Sequence, residues 1–162
     1  MKLFYTAFAT LILLVPFIAV AQPASVNTKL IRDLFDKMNK HDTTAIGSFF
    51  DDSAKIESPN WEGVQTGKQA VVTVYSRYFK GAPNMQFNIT NITATDDAVV
   101  VEYTFGGQFT NPEPGTPEYM RNKSYTLKSC THYNIAHNKI IAAISYFDQV
   151  SFLRQVGFFD PH

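Results

Sequence analysis

The residues that could do chemistry crowd the C-terminal run KIIAAISYFDQVSFLRQVG at residues 139–157. Read as a strand, it puts Ile140, Ala142, Ile144, Tyr146 and Asp148 on one face, because side chains alternate. A carboxylate on a face with two isoleucines and a tyrosine breaks the local pattern, and such conflicts mark functional sites. Held in apolar surroundings, Asp148 is a candidate base with a raised pKa. It can also serve as the N-cap of the helix that follows, and the two roles are compatible. His132 lies in another strand-like stretch, on one face with Cys130 and Asn134. It is a second candidate, against the alternative of an ordinary strand histidine. Cys130 reads as a small buried hydrophobe. His41, His132, His137 and His162 form no ligand-spaced pair, so no metal site is expected. The chain has no G-x-G-x-x-G, no G-x-x-x-x-G-K-[ST] and no G-x-S-x-G, so no nucleotide cofactor and no hydrolase elbow is expected.

The elements that would position these groups follow from spacing. Leu30, Ile31, Leu34, Phe35 and Met38 form an apolar stripe, predicting a helix over 28–40 capped by Asn27 or Thr28. Asp42 caps a second, shorter helix burying Ile46, Phe49 and Phe50, and Asp51-Asp52-Ser53 breaks it. Residues 54–57 read as a strand ending at Glu57, before Pro59 and a loop holding Trp61. Thr66 caps a third helix over 68–80. Strands over 85–95 and 98–105 join across Asp96-Asp97. Gly106-Gly107 is a bulge or turn signal. Residues 106–119, with Pro112, Pro114 and Pro117, read as a long surface loop. Strands over 121–135 and 140–147 follow, and Val150, Leu153 and Val156 return to helical spacing before Gly157. Helices first and antiparallel strands after make the class α+β.

Composition is that of an ordinary domain, with 45% hydrophobic and 17% charged residues among 162. Lys2, the apolar run 11–20 and Ala19-Val20-Ala21 have the order of a signal peptide over residues 1–21, leaving one domain over 22–162. Export to a secreted or periplasmic location is expected, with no membrane span kept after cleavage. The 14 basic and 14 acidic residues include Lys2, so the mature chain is nearly neutral and suggests no nucleic-acid partner. One cysteine makes no internal disulfide. Asn88, Asn91 and Asn122 head sequons, relevant only in a glycosylating host.

The element order and several motifs resemble the SnoaL-like branch of the nuclear transport factor 2-like superfamily. The residues that carry this are 31–39 with Asp42, the run 54–59 ending Glu57-Ser58-Pro59, and Gly67-Lys68-Gln69-Ala70-Val71. Asn138-Lys139-Ile140, Tyr146-Phe147-Asp148 and 152–157 complete the set. The resemblance implies a cone-shaped fold, a curved antiparallel sheet wrapped around N-terminal helices and enclosing a deep apolar pocket. It also implies a homodimer whose sheets meet. The family's cyclases carry a proton-abstracting carboxylate, often within His-Trp-Asp shortly after the Lys-Ile. Here Ala143-Ile144-Ser145 stands at that place, and Asp148 is the nearest acid.

A pocket of this kind needs a base and a donor for an enolate oxygen. Asp148 and Glu57 are the candidate bases, with His132 as a partner. Tyr78, Tyr103 and Tyr146 are candidate donors or pocket wall, and Trp61 a candidate roof or packing residue. Two functions fit: an exported protein binding a small apolar molecule, or a cofactor-free isomerase, dehydratase or cyclase. The missing cyclase carboxylate favours the first.

Overall fold

The computed structural model describes residues 24–59 and 63–161. The leader over 1–21 and Trp61 lie outside the described residues.

Helix α1, Ala24–Asn39, buries Ile31, Leu34, Phe35 and Met38 along one stripe. It starts earlier than the apolar spacing suggests, because Thr28 is not a cap. Its hydroxyl donates back to the Ala24 carbonyl at 2.9 Å, from inside the helix. Helix α2, Thr43–Ser48, is capped by Asp42, which accepts from Ala45 N at 2.9 Å. Strand β1 spans Phe50–Glu57, so Asp51-Asp52-Ser53, expected to end the second helix ahead of a strand over 54–57, lies inside the strand instead. The triplet fits because its charges are met at the surface. Asp51 accepts from the Ser53 backbone and hydroxyl, and Asp52 pairs with Lys68 at 2.7 Å.

The short strand β2, Gln65–Thr66, leads into α3, Lys68–Gly81. Thr66 does not cap α3. Gly67 stands there with φ 86°, and its N–H donates to Ala54 O at 2.8 Å. A Cβ on Gly67 would lie 2.8 Å from Asp52 O, so only glycine lets the chain turn this close to β1.

Strands β3 (Gln86–Ala94), β4 (Ala98–Gln108), β5 (Ser124–Ala136) and β6 (Lys139–Phe147) follow, then α4 (Gln149–Gln155). Gly106 and Gly107 sit inside β4, not at a turn. A Cβ on Gly106 would meet Tyr125 O at 2.3 Å, so the close approach of β5 excludes any side chain there. His137 and Asn138, at φ 51° and 59°, turn β5 tightly into β6.

The single sheet has the order β2-β1-β6-β5-β4-β3. It is antiparallel except where β1 lies parallel to β6. No hairpin links those two strands, so nothing forces them to oppose each other. Irregular registers at Ile89/Asn91 and Asn134/Ile135 bend the sheet, and α1 and α3 pack in its concave side.

Two amide side chains tie helices to strand backbone. Asn39 Nδ2 donates to Phe87 O at 2.8 Å, and Phe87 N donates to Asn39 Oδ1 at 2.7 Å. On α4, Gln155 Nε2 donates to Thr126 O at 3.0 Å and Thr126 N donates to Gln155 Oε1 at 2.8 Å. Asn39→Ala leaves a buried residue's N–H and C=O unpaired, at an expected cost of about 1–3 kcal/mol. A urea midpoint unchanged from wild type would remove this role from Asn39.

Candidate binding site on the concave face

The inner face of β6 is set by one extra residue. Asn134 pairs with Ala142 but Ile135 pairs with Ile140, so Ile141 is skipped and the alternation inverts. Ile140 therefore shares the inner side with Ala143, Ser145 and Phe147, while Ile144 and Tyr146 turn outward. This corrects the face read from strict period two, which grouped Ile140 with Tyr146 and Asp148. Tyr146 is 61% exposed.

Inner positions of β4, β5 and β6 bring three hydroxyls together. Tyr103 OH lies 3.0 Å from Thr131 Oγ1, and Thr131 Oγ1 lies 2.8 Å from Ser145 Oγ. Thr131 is 1% exposed and Tyr103 8% exposed, whereas Ser145 is half-buried. Each hydroxyl has one proton to donate. Three hydroxyls joined by two bonds keep one proton over, and Ser145 is the end of the chain that solvent reaches.

Aromatic rings surround this hub. Tyr75 and Tyr78 of α3, Phe105 of β4, Phe147 of β6 and Phe152 of α4 pack against the core yet stay half-buried. They lie along the concave side of the sheet. Phe105 meets Phe147 with centroids 5.7 Å apart, and Tyr125 meets Phe152 at 5.3 Å, both edge to face. Burial pushes the phenols of Tyr75, Tyr125 and Tyr133 well above the ordinary tyrosine value, and neighbouring tyrosines add to it. These groups stay protonated at neutral pH and act as neutral donors or acceptors. Among the described residues, the buried polar side chains are Asn27, Ser129 and Thr131 beside the hydroxyls of buried tyrosines, and none of them carries a charge.

The sequence candidates fall in different places. Tyr103 is in the hub, and Tyr78 lies beside Tyr75, with ring centroids 6.3 Å apart. His132 is exposed on the outer face of β5, opposite Val100 and Ile144. Glu57 is exposed at the end of β1, and Tyr146 points outward beside Cys130. Asp148 is exposed, and its carboxylate accepts from Ser151 N at 3.0 Å as the cap of α4. A cap role sets clear expectations. Asp148→Asn keeps the cap and leaves stability unchanged, while Asp148→Ala costs about 1 kcal/mol. Thermal unfolding of both variants checks this, and equal losses in the two would refute it.

Ser145, Thr131, Tyr133 and Tyr75 were not singled out from sequence. The signal for two of them was present: placing His132 on one face of β5 puts Thr131 and Tyr133 on the other. Ser145 needed the irregular register at Ile141, which no composition signal marks. Among the described residues, no group of three His, Cys, Asp or Glu side chains is placed to hold a metal ion. No described helix is long and apolar enough to cross a membrane.

Comparisons with known proteins bear on the fold and the family. No curated protein matches the chain. Among solved structures, one from Jannaschia sp. CCS1, put forward as a SnoaL-like polyketide cyclase, superposes with a TM-score of 0.73 at 16% identity. That match covers 86% of this chain and 95% of the other. A protein from Catenulispora acidiphila with a ketosteroid isomerase-like fold, in complex with trimethylamine, gives 0.67 at 18% identity, covering 80% and 92%. Bal32a, from a soil-derived mobile gene cassette, gives 0.66 at 17% identity, covering 80% and 95%. At these identities the likeness establishes the fold. The sequence model of the SnoaL-like polyketide cyclase family matches residues 29–156, most of the chain, and the protein belongs to that family.

Proposed function

We propose that this is an exported protein that holds an uncharged small apolar molecule on the concave face, with an oxygen of the ligand at the Tyr103–Thr131–Ser145 hub. One observation carries this: a hydroxyl cluster with a proton to spare, set among aromatic rings, with no buried charge beside it. A charged ligand would lose its hydration there without gaining a counter-charge. An apolar body with one carbonyl or hydroxyl loses little and gains a directed bond.

The second reading is a cofactor-free isomerase, dehydratase or cyclase. The hub supports it in part, because a hydroxyl donor could stabilise an enolate oxygen. Proton abstraction also needs a base, and Ser145 stands where the cyclases carry their carboxylate. The binding reading is therefore preferred.

Export rests on the leader pattern. A second copy of the chain is the proposed partner of the outer face, where Val100 is 37% and Tyr146 61% exposed. Glu102, Lys128, Cys130 and Tyr146 there border an open depression of about 550 Å³. Burial and the Glu102 carboxylate raise the Cys130 thiol, which keeps it protonated and unreactive in that setting.

Native mass spectrometry of protein recovered from the exported fraction tests all three parts. The expected species is a dimer of chains beginning at or near Gln22 and carrying a co-purified small molecule. A bare species would count against the ligand, a monomer against the dimer, and a retained Met1 against export.

A further inference from the structure

The run of hydroxyls from Tyr103 through Thr131 to Ser145 has a direction. By distance alone, either atom of each bonded pair could be the donor. Three protons serve two bonds, so one is spare, and burial decides whose it is. Suppose Ser145 donated to Thr131 and Thr131 to Tyr103. The spare proton would then sit on the Tyr103 phenol, which is 8% exposed and whose partner among the described residues is Thr131. If Tyr103 and Ser145 both donated to Thr131, the stranded proton would be that of Thr131, which is 1% exposed. The order Tyr103 to Thr131 to Ser145 uses both buried protons. It leaves the spare one on Ser145, which is half-buried and in reach of solvent. A buried hydroxyl proton without an acceptor is costly, so this order is favoured by about tenfold or more.

That order fixes what position 145 offers. A hydroxyl that accepts a hydrogen bond becomes a stronger donor and a weaker acceptor, because each bond in a run polarises the next. Ser145 accepts from Thr131, which accepts from Tyr103, so Ser145 presents a polarised O–H. Its neighbours on the inner side of β6, Ala143 and Phe147, have no polar side-chain atom to take that proton. Where the cyclases carry a carboxylate, an acceptor, this chain therefore carries a donor.

We propose that the site selects carbonyl ligands, such as a ketone, ester or lactone, over alcohols of the same skeleton, with Ser145 as the donor to the ligand oxygen. Thr131 and Tyr103 are positioning residues that aim the Ser145 proton outward. This rests on the binding function proposed above and narrows its ligand oxygen to a carbonyl. A carbonyl accepts the Ser145 proton and brings none of its own. An alcohol always brings one too many: whichever way it bonds Ser145, its own proton or that of Ser145 is left over among aromatic rings.

Two measurements on the full mature chain test it. The first is nuclear magnetic resonance of the hydroxyl protons in ligand-free wild type. The Thr131 hydroxyl proton should exchange slowly and lie closer to the Ser145 Hβ protons than to the Tyr103 ring. A Thr131 proton closer to the Tyr103 ring reverses the order and overturns the proposal whatever binds. The second is titration with acetophenone and α-methylbenzyl alcohol, a ketone and an alcohol of one skeleton, with infrared detection of the ketone C=O stretch. Wild type should prefer the ketone about tenfold, relative to the preference of Ser145→Ala, a ratio that cancels the different hydration of the two probes. Ser145→Thr keeps the hydroxyl and should keep the preference. The bound C=O stretch should fall below its value in hexane in wild type and Ser145→Thr, but not in Ser145→Ala. A preference or a stretch that Ser145→Ala leaves unchanged overturns the carbonyl selection and leaves the binding function standing. Saturable binding of neither probe by wild type takes down the binding function and the selection together, while the hydroxyl protons still judge the order of the hub.

Discussion

Thr131→Val is expected to destabilise the protein by about 1–3 kcal/mol while changing its shape hardly at all. Valine replaces the hydroxyl with a methyl of similar size, so no cavity forms. What is lost is the acceptor and donor at the centre of the hub, which bonds Tyr103 at 3.0 Å and Ser145 at 2.8 Å. Tyr103 is 8% exposed, and its phenol cannot turn to water without moving its ring. Each buried hydroxyl stripped of its partner costs about 1–3 kcal/mol. Thr131→Ser keeps the hydroxyl and removes only a methyl, so it should cost about 1 kcal/mol. Denaturant unfolding of the two variants separates the effects. If ligand oxygen docks at the hub, affinity falls roughly tenfold or more in the valine variant and much less in the serine variant. A valine variant as stable as wild type would show that the hydroxyl chain does not organise the concave face.

The second large effect is a loss of stability in alkali. Tyr75, Tyr125 and Tyr133 have phenols raised above the ordinary value of 10.0. Stability is untouched below that value. Above it the unfolded chain ionises these phenols and the folded chain does not, so unfolding takes up hydroxide and stability falls as pH rises. Each such group contributes about 1.4 kcal/mol per pH unit, so three together give about 4 kcal/mol per unit. Against a typical total of about 5–15 kcal/mol, the fold should fail cooperatively within a few units above pH 10. Absorbance near 295 nm and far-UV circular dichroism should then change in one step. Tyr133→Phe should make the decline shallower. Smooth phenol titration around pH 10 with the fold intact would exclude a desolvated tyrosine cluster.

The class, the element order and the family were legible because they rest on local signals of long range. Apolar spacing in α1, Asp42 before α2 and the turn at His137-Asn138 each specify their element without tertiary help. Boundaries failed where a contact elsewhere decides. Gly67, not Thr66, precedes α3 because of how near Asp52 O lies, and Gly106 stays in β4 because of Tyr125 O. The site was less legible. Alternation is a sound rule until one residue is skipped, and Ile141 is that residue. It moves Tyr146 to the outside and brings Ser145 to Thr131, which no reading of β6 alone could show. The acid that looked out of place, Asp148, sits just past the strand and bonds the first turn of α4.

The paired amide bonds from Asn39 and Gln155 carry a further consequence. Strand β5 outruns β6, whose last pairing is Phe147 with Ser129, so residues 124–128 have no strand on that side. Strand β3 ends the sheet and has none on its outer side at all. Bare backbone of this kind is a template on which another chain can add a strand and start an aggregate. Gln155 occupies both hydrogen-bonding groups of Thr126, and Asn39 both groups of Phe87, each as a strand would. His41 Nε2 lies 2.8 Å from the Met85 carbonyl just before β3. The molecule thus seals part of two open margins with single side chains. Fewer places remain where a foreign strand can attach.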